Sequence, residues 1–87
     1  MQLSQLKGLG PKSTESLALI DIKTVNEFMA ADAFEMYAQL KRVNPATSLN
    51  MLYAMLGAQE EVHWQVIMST RKAEILMRLD DMGLAPK

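Results

Sequence analysis

Apolar residues recur at helical spacing along almost the whole chain, and no segment alternates between apolar and polar residues for the length of a strand. This pattern predicts an all-α fold of five or six short helices. The most apolar of them spans Leu49 to about Glu60 and carries two stripes, one through Leu52 and Leu56 and another through Met51 and Met55. A helix that is apolar on two faces is usually surrounded by other elements, so this helix is predicted to form the centre of the fold.

Capping and turn residues indicate where the other helices begin and end. Thr24 and Glu27 have the spacing of a capping box, in which each side chain accepts the backbone N–H of the other residue. Asp21 is expected to end the preceding helix in the left-handed conformation, which Asp tolerates better than most residues with a β-carbon. The other helices are predicted at about Leu3 to Lys7, from Pro11, after Asp32 until Asn44-Pro45, after Ser48, and from Ser69 or Thr70 to Gly83.

The spacing also predicts which side chains face inward in the shorter helices. Besides the central helix, the inward stripes are predicted to include Met29, Val43, Ala73 and Met77.

Length and composition limit the kinds of protein that this sequence can encode. With 87 residues, 49 % of them hydrophobic and 22 % charged, the chain is expected to form one globular domain over residues 1–87. Nine basic and ten acidic residues give a net charge of −1, so no strong global field draws the protein to nucleic acid or to an anionic membrane. Cysteine is absent, which excludes disulfides, thiolate zinc sites and thiol nucleophiles. With neither a signal peptide nor a membrane-spanning run, the protein is expected to be cytoplasmic.

The strongest local signal is the glycine-containing segment Leu6-Lys7-Gly8-Leu9-Gly10-Pro11-Lys12-Ser13. Two glycines are expected to make a tight turn that a β-carbon would block, and Leu9 between them is expected to anchor the turn in the core. The helix that begins after Gly10 presents free backbone N–H groups and the positive end of its dipole. Residues 1–14 contain Lys7 and Lys12 but no acid, so a small anion site is predicted here.

This segment resembles a helix-hairpin-helix motif over about residues 3–20. In that family, hairpin amides and nearby lysines contact a DNA phosphate without reading the base sequence. The resemblance implies Lys7, Gly8, Gly10 and Lys12 as the phosphate-contact set. Such hairpins also occur as packing units or protein contacts, and two lysines on a chain of net charge −1 predict only weak DNA binding.

A wider resemblance covers nearly the whole chain. The blocks that carry it are, in order, Gly8-Leu9-Gly10-Pro11-Lys12-Ser13, Ile22-Lys23-Thr24-Val25 with Glu27-Phe28, Ser48-Leu49-Asn50-Met51-Leu52-Tyr53-Ala54-Met55-Leu56-Gly57-Ala58, His63-Trp64 and Lys72-Ala73-Glu74-Ile75-Leu76. Together they are similar to the C-terminal domain of the TfoX (Sxy) family, regulators of natural competence for DNA uptake. Such proteins usually carry a separate N-terminal domain, so the resemblance implies either a free-standing version or an excised domain.

Two positions depart from the family pattern. Asp21 stands where the family usually has Gly before Ile22, so Asp is expected to hold the left-handed backbone there. The segment Glu60-Glu61-Val62 stands where a more basic or glycine-containing segment is expected, which argues against an anion-binding role for that part of the surface.

Catalytic and metal-binding alternatives have little support. Glu60 and His63 have the helical spacing of a metal-binding pair, but such sites need a second pair and further carboxylates, and His63 is the only histidine. Serine catalysis would need His63 as the base beside a serine. His63 and Trp64 are more simply explained as anchors of the turn before the last helix. No enzymatic activity, cofactor, metal or small-molecule substrate is therefore predicted.

Two functions remain open. The first is a regulatory module of competence that contacts DNA weakly and non-specifically. The second is a protein-interaction or dimerisation domain with a purely structural hairpin, because eight methionines and the two-faced central helix favour a homodimer or a regulatory protein partner. A common face for Lys7, Lys12 and Lys23 with exposed glycine amides would favour DNA, whereas a face covered by Glu15 and Glu27 would favour the interaction domain.

Overall fold

The structure, a computed structural model, describes residues 2–85 and consists there of helices and turns without a strand. Leu3–Gln5 forms a single 3-10 turn. The five α-helices are Pro11–Ala18 (α1), Val25–Ala30 (α2), Ala33–Val43 (α3), Leu49–Glu60 (α4) and Trp64–Asp81 (α5). The all-α prediction is confirmed. That residues 1–87 form one domain stays a prediction.

The helix α4 lies at the centre of the fold, as its two apolar stripes predict. Leu52 and Met55 are completely buried, and Leu56 is 6 % exposed. The other helices close around α4 with side chains that share near-complete burial: Leu17 of α1, Phe28 of α2, Met36, Tyr37 and Leu40 of α3, and Ile67, Ile75 and Leu79 of α5. Both stripes therefore contribute to one hydrophobic cluster, and Met55 belongs to the interior.

Gly57 allows α5 to turn back directly against α4. A β-carbon at this position would lie 2.7 Å from the backbone oxygen of Val62 and 3.3 Å from the backbone nitrogen of Trp64. Both neighbours are main-chain atoms, which cannot rotate away as a flexible side chain can. The close approach of the two helices at this turn therefore requires glycine, although glycine is a poor helix former.

Three helices end with a residue in the left-handed conformation. Asp21 has φ 62°, Glu61 has φ 60° and Gly83 has φ 75°. After each of them the chain closes a Schellman-type hydrogen bond back to the helix, from Ile22 to Leu17, from Val62 to Gly57 and from Leu84 to Leu79, at 2.8 to 3.0 Å. The predicted roles of Asp21 and Gly83 are confirmed. Glu61 adopts the same conformation without a sequence signal that would have indicated it.

The capping predictions for α2 and α3 are confirmed by hydrogen bonds. The Glu27 N–H donates to the Thr24 hydroxyl at 3.0 Å, and the Glu27 carboxylate accepts the Thr24 N–H at the same distance. The backbone N–H groups of Lys23 and Thr24 lower the pKa of Glu27 because they stabilise its charged form. Asp32 accepts the Phe34 N–H at 2.7 Å and so caps α3.

Asp32 also connects α3 to the last helix. Its second carboxylate oxygen accepts a hydrogen bond from the Arg78 guanidinium at 2.8 Å, and that guanidinium lies 4.2 Å from the centre of the Phe34 ring. Burial by itself raises the pKa of Asp32, but the Phe34 and Glu35 amides and Arg78 outweigh it, and the net pKa is lowered.

Two predicted helix boundaries are wrong. The first arm is a single 3-10 turn that ends at Gln5, because Leu6 is already extended as the chain heads for Gly8. The last helix begins at Trp64 rather than at Ser69 or Thr70, because His63 caps it: the Gln65 N–H donates to Nδ1 of His63 at 3.1 Å. A histidine cap lies outside the usual set of capping residues.

Four side chains that were predicted to face inward are exposed. Met29 is 44 % exposed, Val43 51 % and Met77 71 %, and Ala73 is also exposed. Ala73 and Met77 lie outside because Ile75 and Leu79 occupy the side of α5 that packs on α4. Val43 and Met29 lie in short helices whose inward side is already filled by Leu40 and Phe28.

Replacing Leu52 by Ala is expected to reduce the free energy of unfolding by about 2–5 kcal/mol, the usual range for a fully buried leucine. The matched control is Leu19→Ala, which removes the same atoms from a side chain that is 66 % exposed and should change stability by no more than about 0.5 kcal/mol. Urea denaturation followed by circular dichroism measures both. A loss below about 1 kcal/mol for Leu52→Ala would contradict the central position of α4.

Replacing Gly57 by Ala is expected to destabilise the protein by about 1–3 kcal/mol, because the added methyl group meets main-chain atoms in a packed turn. Helix propensity alone predicts the opposite sign, since Ala is better than Gly by about 1 kcal/mol in a helix interior. Asn50→Ala, on the exposed side of the same helix, is the control and should be neutral or stabilising. A stabilised Gly57→Ala variant would show that the turn has room for a β-carbon.

Candidate nucleic-acid interface

The glycine-containing segment joins the N-terminal 3-10 turn to α1. Leu9 is 4 % exposed and is anchored in the core, as expected. Gly8 has φ 86°, a conformation that residues with a β-carbon rarely adopt. Pro11 occupies the first turn of α1, where its missing N–H is not needed. The tight turn therefore depends on Gly8, and Leu9 fixes it to the core.

Gly10 does not have the role that the two-glycine pattern suggested. Its φ is −104°, which any residue can adopt, and it is the N-cap residue of α1. A β-carbon built on Gly10 would meet no atom within 4 Å. The expectation that both glycines are needed for the turn is therefore wrong for Gly10. The absence of a side chain at Gly10 leaves the N-terminus of α1 uncovered.

The first turn of α1 presents backbone donors without partners. The N–H groups of Gly10, Lys12 and Ser13 make no hydrogen bond within residues 2–85, whereas the Thr14 N–H and hydroxyl both donate to the Gly10 carbonyl. No acidic residue lies in this first turn. These donors add to the positive end of the helix dipole, the usual basis of anion binding at a helix N-terminus.

Lys7 and Lys12 are both exposed beside these donors. Within the described residues, no carboxylate lies within 4.0 Å of either ammonium group. Lys23 differs, because its ammonium lies 3.8 Å from the Asp21 carboxylate. The segment thus has two cations that are free of ion pairs in this part of the chain.

Two surface depressions next to the segment extend the candidate site towards α4. The larger has a volume of about 360 Å³ and the smaller about 180 Å³, and Ser13, Ser48 and Met51 line both. Gly8, Asn50 and Trp64 also line the larger one, and Lys12 lines the smaller. Among the residues that the structure describes, no acidic side chain lines either depression. The N-termini of α1 and α4 therefore meet at one acid-free surface.

The Ser48 hydroxyl lies at this surface and makes no hydrogen bond within residues 2–85. It is the N-cap residue of α4, as predicted, but its side chain accepts no capping hydrogen bond, and the Met51 N–H bonds to its backbone carbonyl at 3.0 Å instead. The participation of Ser48, Asn50 and Trp64 was not predicted. The capping pattern could identify Ser48 as a helix start, but it could not show that this start lies beside α1.

The other candidates from the sequence, Glu60 and His63, make structural contacts. His63 caps α5, and the Glu60 carboxylate pairs with the Arg71 guanidinium. Among residues 2–85, no group of three or more His, Cys, Asp or Glu side chains is placed to hold a metal ion. None of the helices in that range has the length and hydrophobicity that crossing a bilayer requires.

Comparison with known proteins decides the family. A family model described as the TfoX C-terminal domain matches residues 1–79. This chain belongs to the TfoX C-terminal domain family. The crystal structure of an uncharacterized protein from Listeria monocytogenes aligns over 100 % of both chains with a TM-score of 0.83 and 22 % identity, a likeness that shows the fold alone. No curated protein matches the chain.

Membership in the TfoX C-terminal domain family confirms the resemblance drawn from the dispersed sequence blocks. The finer interpretation of residues 3–20 as a helix-hairpin-helix stays a prediction, because the first arm of the pair is the short turn Leu3–Gln5. Asp21, which was expected to hold the left-handed backbone before Ile22, does so with a φ of 62°.

The two glycines are expected to respond differently to substitution. Gly8→Ala should destabilise the protein by about 1–2 kcal/mol, the usual cost of a left-handed conformation for a residue with a β-carbon. Gly10→Ser should keep stability or raise it by a few tenths of a kcal/mol, because Ser is preferred over Gly at an N-cap. Thermal unfolding compares the two variants. Equal losses would contradict the separate roles that the backbone assigns to them.

Proposed function

We propose that this TfoX C-terminal domain is a non-enzymatic regulatory module, associated with competence control, that contacts the phosphates of DNA weakly and without sequence preference. The contact surface is the N-terminus of α1 with Lys7, Gly8, Gly10 and Lys12. The acid-free surface at Ser48 and the start of α4 extends it. Phosphate contacts of this kind position a protein on DNA and carry no sequence information.

The observation that carries the proposal is the open space at Gly10. Neither backbone conformation nor packing within residues 2–85 requires glycine there. The missing side chain instead lets a ligand approach the N–H groups of Gly10, Lys12 and Ser13 closely, which is one of the recognised uses of glycine. A phosphate oxygen is a ligand of the right charge and hydrogen-bonding type for three such donors at the positive end of a helix.

The charges around the segment support a weak site. Lys7 and Lys12 add two cations, and the adjoining depressions contribute no acid. Lys23 is paired with Asp21 and is therefore not counted among the free cations, and the Glu27 carboxylate accepts the N–H groups of Lys23 and Thr24 at the start of α2. With about two to three cationic contacts, the slope of log K against log salt concentration should be only about −2 to −3.

Gly10→Ser separates binding from folding. Its hydroxyl is expected to accept a backbone N–H of the first turn, as capping serines do, and so to occupy a donor that the phosphate would use. We expect weaker binding to both of two unrelated duplexes, measured by fluorescence anisotropy at several salt concentrations, with the fold intact by circular dichroism. Trp64 is the only tryptophan and lines the adjoining depression, so its emission gives a second readout.

Charge variants test the same surface. Lys12→Ala should reduce the salt slope by about 1, and the Lys7→Ala, Lys12→Ala double variant by about 2. Lys72→Ala is the matched control, because it removes the same charge from an exposed position on α5 that has no ion pair within the described residues. Absence of binding even at about 50 mM salt, where phosphate contacts are strong, would leave the interaction domain as the function. A strong preference for one duplex would also overturn the proposal.

A further inference from the structure

One exposed stripe of α5 between Val66 and Met77 carries no charged residue. Val66, Thr70, Ala73 and Met77 follow one another at spacings of four, three and four residues and therefore share one face of the helix. All four are exposed, Val66 by 46 % and Met77 by 71 %. We call these four residues the outer stripe. It runs along about 16 Å of the helix, on the side opposite the buried Ile75.

The polar groups of this face are already satisfied within the helix. The Thr70 hydroxyl donates to the Val66 carbonyl at 2.6 Å, and the Ser69 hydroxyl donates to the same carbonyl at 3.2 Å. The two arginines of α5 are engaged with their own chain, Arg71 with Glu60 and Glu74, and Arg78 with Asp32. The outer stripe therefore presents methyl groups and a thioether to solvent, with neither a charge nor a free hydroxyl.

We propose that the outer stripe binds the same stripe of a second copy of this chain, with the two α5 helices antiparallel. Alternating spacings of three and four residues are the repeat by which helices pack along a shallow left-handed seam. A twofold axis midway between Thr70 and Ala73 places these two small residues against each other. The same axis places Val66 of each copy against Met77 of the other, so the large side chains close both ends of the contact.

The ends of the stripe favour the antiparallel arrangement. His63 lies three residues before Val66, and Asp80 lies three residues after Met77, so the same twofold axis places His63 of one copy opposite Asp80 of the other. Nδ1 of His63 accepts the Gln65 N–H, which leaves the proton of the neutral ring on Nε2 as a donor for a carboxylate. Both residues are exposed.

The helix dipoles also favour the antiparallel arrangement. Asp80 and Asp81 lie at the C-terminal end of α5, where the helix dipole disfavours negative charge, and the first turn of α5 contains no acid. The nearest acids at that end, Glu60 and Glu61, precede the helix; Glu60 is paired with Arg71, and Glu61 is exposed. Antiparallel pairing brings the two aspartates of one copy next to the positive end of the other helix. A parallel pair would place aspartates beside aspartates.

The location differs from the one that the sequence suggested for a homodimer. The methionine-bearing stripe of α4 offers less surface than α5, because Met55 is completely buried and Met51 is partly buried. Three turns of one helix pair bury less than about 1,200 Å² in total, the small end of specific interfaces. We therefore expect a weak dimer, with a dissociation constant above about 1 μM.

Site-specific disulfide formation tests the geometry, and the natural chain contains no cysteine that would interfere. An equimolar mixture of Val66→Cys and Met77→Cys chains should form the mixed disulfide under mild oxidation well beyond the roughly twofold excess over either symmetric one that random pairing gives, because the twofold axis brings these two positions together. A mixture of Leu19→Cys and Met77→Cys chains is the control for random collision, since Leu19 is similarly exposed but lies on α1. Symmetric products only, or yields equal to those of the control, would overturn the proposal.

Sedimentation over a range from about 10 μM to about 1 mM, which a small interface requires, measures the association itself. Met77→Glu should weaken it at least tenfold, because it places a carboxylate in the apolar contact of both copies, and Asp80→Ala should weaken it less. Leu19→Glu is the matched control and should have no effect. A monomer throughout the range, or equal sensitivity to Leu19→Glu and Met77→Glu, would also overturn the proposal. Neither outcome bears on DNA binding at α1, which uses a different surface.

Discussion

The architecture depends on the close contact between α4 and α5 at Gly57. A helix with two apolar faces, such as α4, has to be covered on both of them, and α5, the longest helix in residues 2–85, covers one of them only because the chain reverses within three residues after α4. That reversal brings the Val62 carbonyl and the Trp64 amide directly against Gly57. Glu61 takes the left-handed conformation at the same turn. A glycine within a helix and a left-handed glutamate are each unfavourable locally, and the burial of apolar side chains between α4 and α5 offsets both.

The candidate interface depends on the other end of the same helix. The first turn of α4 lies beside the N-terminus of α1, and Gly8 packs against the second turn of α4, where a β-carbon on Gly8 would lie 3.8 Å from the Ala54 carbonyl oxygen. Leu9 is buried in the common core. The position of the backbone donors of α1 is therefore set by packing against α4. A change that loosens α4 should disturb the candidate interface even where it touches none of the lysines.

Charge is separated within a chain that is nearly neutral overall. The first fourteen residues contain two lysines and no acid, whereas α5 ends in two aspartates. The arginines of α5 are engaged with acids of α3, α4 or α5 itself. Local fields therefore differ from the field that a net charge of −1 suggests. The two proposed contact surfaces therefore differ in charge. The N-terminus of α1 offers hydrogen-bond donors to an anion, and the outer stripe of α5 is uncharged between His63 and Asp80.

Much of the fold was determined by short-range sequence signals. The capping box of Thr24 and Glu27, the Asp32 cap, the left-handed Asp21 and Gly83, and the central position of α4 all follow from interactions within a few residues or from the apolar pattern of one helix. These contacts are local, so the sequence contains all of their partners at fixed spacing. The family could be predicted for the same reason, because its blocks are continuous pieces of sequence.

Tertiary structure decided the features whose partners are distant in sequence. Whether Gly10 is needed for the turn depends on its φ and on the space around it, and the two-glycine pattern determines neither. The need for glycine at position 57 and the meeting of Ser48 with the start of α1 depend on how α4 packs. The start of α5 at Trp64 was missed for a different reason, because its cap is a histidine, which is not one of the usual capping residues. Met77 and Ala73 had the spacing of core residues, and only the position of α4 against the other side of α5 determined that they face outward. Periodicity shows which residues share a face, but only packing determines which face is buried.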